Sequence, residues 1–232
     1  MAEKTHMATP DRAKLIGGVW LPEEETHLVD IMLNNPRGTV LRDGKATYQF
    51  HKIDACVTRL PPTRRRVCID VGGHVGLWSM WLARAFGQVH AFEPAARHAD
   101  LFRHNVPDGN VTLHEVALGE EPGVCEVRWH GESSGDAFIE PGVGDVEVRT
   151  LDSFGFTKVD FIKIDVEGFE LQVVAGGRET LMRNRPMVCV EQKGREARNF
   201  GADPKGALDF LLGLGMRELV EIHGDHILDW PE

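Results

Sequence analysis

Short apolar runs alternate with amphipathic segments between residues 67 and 191. The runs read VCIDV (67–71), VHAFE (89–93), VTLHEV (111–116), FIKIDV (161–166) and MVCVE (187–191). Apolar runs of this length, separated by helical segments, are typical of buried parallel strands joined by helical crossovers. The pattern therefore predicts an α/β protein with a single doubly wound, mostly parallel sheet.

The segments between these runs have the apolar spacing of helices. Helices are expected over 77–86 and 95–105, and one long helix is expected over 169–185. Near the C-terminus, a helix around 207–212 precedes the runs RELVEI and HILDW, which predict a hairpin that turns at Gly224 and Asp225. Such a hairpin would close the sheet with an antiparallel edge.

Two regions outside this alternation have their own patterns. A Gly- and Ser-rich stretch, 131–145, lies between the β-like runs CEVRW (125–129) and VEVRTL (146–151), and we interpret it as a loop over the functional site. The first 62 residues contain helical patterns at 24–33 and 48–60. We interpret 1–62 as an N-terminal helical segment that could cap the acceptor, and 63–232 as the main domain.

The composition narrows the class of protein. The 26 Lys and Arg against 36 Asp and Glu give a net charge of −10, which disfavours non-specific binding to nucleic-acid phosphates. No apolar run approaches the roughly 20 residues of a membrane helix, and the N-terminus lacks a signal-peptide core, so a cytoplasmic protein is expected. The four cysteines lack metal-binding spacing and are expected to be buried, reduced thiols.

The sequence DVGGHVG (70–76) stands where the first predicted strand ends and a helix begins. Glycines there let the chain turn sharply and let a ligand approach backbone N–H groups. Glu93 follows at the tip of the second strand, where a carboxylate can accept hydrogen bonds from both hydroxyls of a ribose. Because no GxGxxG is present and Asp70 precedes the glycines, the motif favours a nucleoside-type cofactor with a positive charge over a dinucleotide.

Six segments together resemble one family. They are CIDVGGHVGLWS, VHAFEP, NVTLHEVALG, VRTLDSF, FIKIDVEGFELQVVAGG and MVCVE, and they cover about 67–192. The chain resembles the S-adenosylmethionine-dependent methyltransferases of the FkbM family, although His74 stands where many relatives have Asn. The resemblance implies the class I methyltransferase fold over 63–232, which is a Rossmann-like, mostly parallel seven-stranded sheet with an antiparallel C-terminal hairpin strand.

The same resemblance assigns residues to S-adenosylmethionine. The glycine loop would surround its methionine part, Glu93 would hold the ribose hydroxyls, and the end of the third strand, with His114, would lie near the adenine. The implied cofactor-binding residues are Asp70, Gly72, Gly73, His74, Gly76, Phe92, Glu93, Pro94, Glu115, Val116 and Asp165.

The motif KIDVEGFE places a second group of charges at the carboxyl end of the fourth strand. Strand alternation puts Lys163 and Asp165 on one side, and a buried ammonium needs a carboxylate partner, which Asp70, Asp165 or Glu167 could supply. Asp165 and Glu167 are the first candidates for a general base, and Glu191 at the end of the fifth strand is a further catalytic candidate. These three could also supply oxygen ligands to a divalent cation, but no ligand spacing demands one, so a metal requirement is not predicted.

The reaction that the resemblance implies is methyl transfer from S-adenosylmethionine to a hydroxyl of a small molecule, such as a sugar or metabolite. A nucleotide or nucleic-acid acceptor is the alternative, through a local patch at Arg64–Arg66 or at Arg183 and Arg185. A non-catalytic nucleoside-binding module is a third reading. The candidates for the acceptor pocket are Tyr48, His51, Lys52, Ser133, Ser134 and Asp136.

Overall fold

The computed structural model describes residues 10–34, 41–129, 133–192 and 203–231. Before residue 62 it has a strand pair, β1 (Ala13–Ile16) and β2 (Val19–Pro22), the helix α1 (His27–Asn34), a second strand pair, β3 (Leu41–Arg42) and β4 (Lys45–Ala46), and the helix α2 (Phe50–Arg59). Both predicted helices are confirmed. The two strand pairs were not predicted, because strands of two to four residues carry too few positions to show an alternation.

The remaining elements follow in chain order. They are β5 (Val67–Val71), α3 (Ser79–Ala85), β6 (Gln88–Phe92), α4 (Ala96–Asn105), β7 (Val111–His114), β8 (Ala117–Leu118), β9 (Gly123–Trp129), β10 (Ala137–Pro141), β11 (Val146–Arg149), β12 (Val159–Ile164), α5 (Glu170–Ala175), α6 (Arg178–Asn184), β13 (Met187–Glu191), α7 (Gly206–Gly213), β14 (Arg217–Ile222) and β15 (Asp225–Asp229).

Within the described residues, seven strands form the main sheet in the order β14-β15-β13-β12-β5-β6-β7. The pairs β13-β12, β12-β5, β5-β6 and β6-β7 are parallel, whereas β15 is antiparallel to both of its neighbours. The predicted mostly parallel, doubly wound α/β sheet is therefore confirmed. The expected antiparallel hairpin is also confirmed, because β14 and β15 close one edge of the sheet, with β15 between β13 and β14 and antiparallel to both.

The two faces of the sheet bury separate apolar cores. One face packs against α2, α3, α4 and the N-terminal strands, and it holds Phe161 and Phe102. The other face packs against α5, α6 and α7, and it holds Ile162 and Ile164. Successive residues of β12 thus point to opposite faces, as the period of a strand requires. Because both faces are covered, a ligand can reach the sheet only at the carboxyl ends of its parallel strands.

The helix predicted over 169–185 is interrupted, which corrects that prediction. It consists of α5 and α6, with Gly176 and Gly177 between them. A Cβ on Gly176 would overlap the carbonyl group of Gly119, so the chain passes too close to its neighbour for a side chain there.

The stretch predicted as a loop over 131–145 is a strand in part. Residues 137–141 form β10, which pairs antiparallel with β9, and β9 also pairs with β11 in a second sheet of order β10-β9-β11-β8. Residues 131 and 132 of that stretch lie outside the described residues. The second sheet packs on Phe169 through Ala117, Cys125, Ile139 and Val148, and so lies beside the ends of the main sheet.

Arg64, Arg65 and Arg66, which form the first of the two candidate phosphate-binding patches, have partners within the chain. Arg64 pairs with Asp229, and Arg66 pairs with Asp160. Arg65 donates to the carbonyl oxygens of Leu60 and Val57. These arginines therefore fasten the chain before β5 rather than presenting unpaired guanidinium groups.

Two further predictions have outcomes in the structure. All four cysteines are buried and free, which confirms the prediction of reduced thiols. Among the described helices, none combines the length and the apolar character that crossing a bilayer would demand.

Candidate active site

A cavity opens at the carboxyl ends of the parallel strands. Its floor is formed by the residues that follow β5, β6 and β12 and by the last residue of β13, and it is covered by the N-terminal part and by the second sheet. The lining includes His27, Leu28, Tyr48, Gln49, Val71, Gly72, Gly73, His74, Trp78, Phe92, Glu93, Pro94, His98, Val116, Ser133, Ser134, Asp136, Phe138, Lys163, Asp165, Glu167, Phe169 and Glu191. This is the position at which open α/β sheets bind their ligands.

The glycine loop leaves β5 in a turn that excludes side chains. Gly72 has a φ of 80°, and a Cβ on it would overlap the carbonyl oxygen of Asp165. The N–H groups of Gly72 and Gly73 donate to the carbonyl oxygen of Phe92 at 3.0 and 2.9 Å. The loop is thus fixed between the ends of β6 and β12, and both glycines border the cavity.

Glu93, immediately after β6, is buried and lines the cavity. Its Oε2 accepts the backbone N–H of His74 at 2.7 Å, and its Oε1 accepts the backbone N–H of Ala95 at 2.9 Å. The Nδ1 of His98 lies 3.4 Å from the same Oε1. A carboxylate oxygen has two acceptor positions, so Glu93 can still receive ligand hydroxyls.

Asp70 and Lys163 form a buried pair at the floor of the cavity, which Lys163 lines and Asp70 lies beneath. The Nζ of Lys163 lies 3.3 Å from Oδ1 of Asp70 and 3.7 Å from Oδ2 of Asp165, and it donates to the carbonyl oxygen of Gly72 at 2.8 Å. Ser79 donates to Oδ2 of Asp70 at 2.6 Å. The predicted carboxylate partner of Lys163 is confirmed.

The electrostatics of this pair follow from burial and charge. Burial raises the pKa of Asp70, and Lys163 and Ser79 offset part of that rise. Burial lowers the pKa of Lys163, but the carboxylates of Asp70 and Asp165 outweigh burial, so its pKa lies above the usual range. Lys163 therefore keeps its positive charge at neutral pH beside the floor of the cavity.

The carboxylates of Asp165, Glu167 and Glu191 converge in this cavity. Each offers an oxygen, and these oxygens lie within 4.8 Å of one another. Glu167 has a φ of 53° and Gly168 a φ of 105°, so the chain turns sharply after β12 and returns Glu167 toward Asp165. Three oxygen donors at this spacing could act as a general base or hold a divalent cation.

The side chain of Glu170 stabilises the turn that follows β12. Its Oε1 accepts the backbone N–H groups of Val166 at 3.2 Å and of Gly168 at 3.0 Å. The side chain is buried, and burial raises its pKa to about 7 although the two hydrogen bonds oppose the rise. Sequence reasoning left Glu170 as a charge at a helix start, since its position gives no sign that it closes the preceding turn.

A chain of hydrogen bonds joins the N-terminal part to the helix that follows the glycine loop. The indole N–H of Trp78 donates to Oε1 of Gln49 at 3.1 Å, and the amide N–H of Gln49 donates to the hydroxyl of Tyr48 at 3.0 Å. All three residues line the cavity, and the Nζ of Lys163 lies 5.8 Å from the ring centroid of Trp78. Gln49 and Trp78 were not predicted, and an amide before a helix gives no local signal of such a contact.

The structure brings most of the predicted site residues to the cavity. Gly72, Gly73, His74, Phe92, Glu93, Pro94, Val116, Asp165, Glu167 and Glu191 line it. Asp70 lies beneath it, and Gly76 packs against Val106 and Phe102. Glu115 lies outside the lining, exposed and paired with Arg103.

Only some of the residues predicted for the acceptor pocket line the cavity. Tyr48, Ser133, Ser134 and Asp136 line the cavity, whereas His51 and Lys52 are not part of its lining among the described residues. Lys52 is buried in an ion pair with Asp225 at 2.7 Å, which fastens α2 to the start of β15. His114, predicted near the adenine, stacks on Phe92 at 4.6 Å between ring centroids, and burial lowers its pKa to about 4.

Two curated methyltransferases are similar to this chain in sequence. A methyltransferase 1 from Beauveria bassiana (strain ARSEF 2860) is 24% identical over 53% of this chain and 63% of its own length. A 2-O-methyltransferase NoeI from Sinorhizobium fredii (strain NBRC 101917 / NGR234) is 32% identical over 44% of this chain and 52% of its own length. The chain therefore spans between half and two thirds of the length of these curated relatives.

A solved structure and a family model complete the comparison. The crystal structure of a fibrillarin/Nop5p complex matches 94% of this chain and 95% of the compared chain at 15% identity, with a TM-score of 0.52, which shows a shared fold. The model of the methyltransferase FkbM domain matches residues 70–219, which include the glycine loop, Glu93 and all three converging carboxylates. The chain belongs to the FkbM methyltransferase family.

Proposed function

We propose that this protein transfers the methyl group of S-adenosylmethionine to a hydroxyl oxygen of a small molecule, such as a sugar or metabolite. The observation that carries the proposal is the meeting of two sets of residues in one cavity. The glycine loop anchored on Glu93 forms one side, and the carboxylates of Asp165, Glu167 and Glu191 form another. The oxygen acceptor is supported by the name of the 2-O-methyltransferase relative.

The residues present fit the proposed methyl donor. Gly72 and Gly73 bring the backbone to the border of the cavity, and the buried carboxylate of Glu93 has acceptor positions for two ribose hydroxyls. The acidic residues of the cavity suit a ligand that carries a positive charge. When bound, S-adenosylmethionine supplies a methyl group that its sulfonium charge already activates.

The protein has then to orient the acceptor and take one proton. Asp165 or Glu167 would accept the proton of the acceptor hydroxyl as the oxygen forms its bond to the methyl carbon. The Nζ of Lys163 lies 3.7 Å from Oδ2 of Asp165, so a positive charge stands beside this candidate base.

The charges of the chain favour a small acceptor over nucleic acid. The net charge is −10, and Arg64, Arg65 and Arg66 are engaged within the chain. Ser133, Ser134 and Asp136 also line the cavity and offer polar groups to such an acceptor.

Isothermal titration with S-adenosylmethionine and S-adenosylhomocysteine tests the donor. The expected result is binding of both, and the absence of heat with folded protein would contradict the proposal. A screen with methyl-labelled S-adenosylmethionine against sugars, hydroxylated metabolites, nucleotides and RNA then tests the acceptor. Label in a hydroxyl-bearing small molecule is expected, whereas label only in nucleotides or RNA would replace the proposed acceptor class.

A further inference from the structure

A buried carboxylate from the N-terminal part reaches the cover of the cavity. Glu25 has no exposed surface, although Glu23 and Glu24 beside it are exposed. Its Oε1 accepts the backbone N–H of Leu28 at 2.8 Å. Its Oε2 accepts both the backbone N–H of Ser134 at 2.6 Å and the hydroxyl of Ser134 at 2.5 Å. Glu25 thus holds together two segments that are 109 positions apart.

Ser134 also contacts His74, which belongs to the glycine loop. Its Oγ lies 3.0 Å from Nε2 of His74. Because the hydroxyl donates its proton to Glu25, it must accept from the imidazole, which places the proton of neutral His74 on Nε2. Burial, and then the neighbouring His98, hold the pKa of His74 well below its usual range, so the ring stays neutral.

His74 in turn stands beside the carboxylate that would hold the ribose. Its backbone N–H donates to Glu93, and its ring contacts the ring of His98, with 4.4 Å between centroids. His98 lies 3.4 Å from the other oxygen of Glu93. The chain of contacts therefore runs from Glu25 through Ser134 and His74 to the site of the proposed methyl donor.

We propose that Glu25 is a positioning residue for the methyl donor, and that it acts by holding Ser134 and His74 over the end of the cavity that Glu93 marks. Glu25 does not itself line the cavity, whereas Ser134, His74 and Glu93 do. The consequence is that the N-terminal part, which lies outside the matched range 70–219, is needed for full cofactor affinity. This inference rests on the proposed use of S-adenosylmethionine.

The test compares S-adenosylhomocysteine binding, by titration calorimetry and stopped-flow dissociation, in the full chain and its variants. Glu25→Gln and Ser134→Ala are each expected to weaken binding at least about tenfold, mainly through faster dissociation, because a hydrogen bond to a charged group is lost. The double variant should be weaker than the more affected single variant by less than about threefold, since both changes break one network. Glu23→Gln, an exposed neighbour, is the matched control and should bind as the unaltered protein does.

The measured affinities distinguish a failure of the proposed role of Glu25 from a failure of the proposed use of S-adenosylmethionine. Failure of the unaltered protein to bind S-adenosylhomocysteine would overturn both. Binding by the unaltered protein with equal affinity and dissociation rate in Ser134→Ala would overturn only the inference. Should Glu25→Gln fail to fold in a thermal melt, Ser134→Ala still decides, because it keeps the backbone N–H bond to Glu25 and removes only one hydroxyl.

Discussion

Glu93 accepts a hydrogen bond from the backbone N–H of His74 at 2.7 Å, and this bond joins the end of β6 to the glycine loop that follows β5. The parallel strands β5 and β6 are neighbours in the sheet, so their ends meet at one place. The carboxylate therefore has two tasks in the proposed site. It shapes the loop, and it presents acceptor positions to a ribose.

Glu93→Ala is expected to weaken the binding of S-adenosylhomocysteine by about 10- to 100-fold, because hydrogen bonds to a charged group are lost. Titration calorimetry on folded protein measures the effect. Glu115→Ala is the control, because Glu115 is exposed, pairs with Arg103 and is not part of the cavity lining. Equal affinity in the Glu93 and Glu115 variants would remove Glu93 from the cofactor site.

Asp165→Asn and Glu167→Gln should lower turnover more than they lower cofactor affinity. Loss of a general base costs about 100- to 10,000-fold in rate, and at least one of the two variants should show such a loss. The measurement is kcat with the acceptor found by the labelled screen, beside the Kd for S-adenosylhomocysteine. Asp145→Asn, at an exposed position, is the control. Unchanged turnover in both variants would show that the base is another residue.

Methyl transfer is expected to persist in EDTA. The Nζ of Lys163 lies 3.7 Å from Asp165, and a cation already in this position disfavours a divalent ion on the same carboxylates. The measurement is the initial rate after chelation, compared with the rate after Mg²⁺ or Mn²⁺ is restored. Loss of activity in EDTA with recovery on adding metal would assign Asp165, Glu167 and Glu191 to a metal site instead.

The sequence predicts best those elements whose apolar residues are also the buried residues of the fold. The strands at 67–71 and 187–191 begin and end where their apolar runs do, since a parallel strand covered on both faces needs apolar residues throughout. The partner of Lys163 followed from the cost of burying an ammonium group, a rule that needs no knowledge of the fold. Both inferences rest on adjacent residues or on one side chain.

The parts that were not predictable depend on contacts between distant positions. Glu25 is one of three successive acids, and its contact with Ser134, 109 positions away, cannot be read from this local sequence. His98 is different, because it shares the buried face of α4 with Phe102 and Asn105, a spacing that could have marked it. Glu115 was assigned by extending the third strand, but β7 ends at His114, so the next side chain leaves the sheet.

Glu170 should give the stability of the protein a distinct pH dependence. Burial raises its pKa in the folded state to about 7, above the ordinary value of 4.5. The folded protein thus binds more protons than the unfolded chain between these values, and the contribution of Glu170 to stability is present below about pH 4.5 and is lost as the pH rises toward 7.

Glu170→Gln removes this titration while its amide oxygen can still accept the N–H groups of Val166 and Gly168. The measurement is the free energy of unfolding of both proteins in urea from pH 5 to pH 8. The unaltered protein should lose up to about 3 kcal/mol relative to the variant as the pH rises. Parallel curves would show that Glu170 does not titrate in this range.

Gly72→Ala tests the packing of the glycine loop against the end of β12. An alanine there would have to adopt a φ of 80°, and its Cβ would overlap the carbonyl oxygen of Asp165. A backbone oxygen held between strands gives way only if the loop shifts, so a destabilisation of about 3 kcal/mol or more is expected. For a chain of this size that corresponds to a fall in Tm of roughly 10 °C.

Gly109→Ala is the control, because a Cβ at Gly109 meets no atom within 4 Å, and its Tm should stay close to that of the unaltered protein. A Gly72→Ala variant as stable as Gly109→Ala would mean that the loop can move away from Asp165, and the cofactor side of the cavity would then be less rigid than its hydrogen bonds to Phe92 indicate.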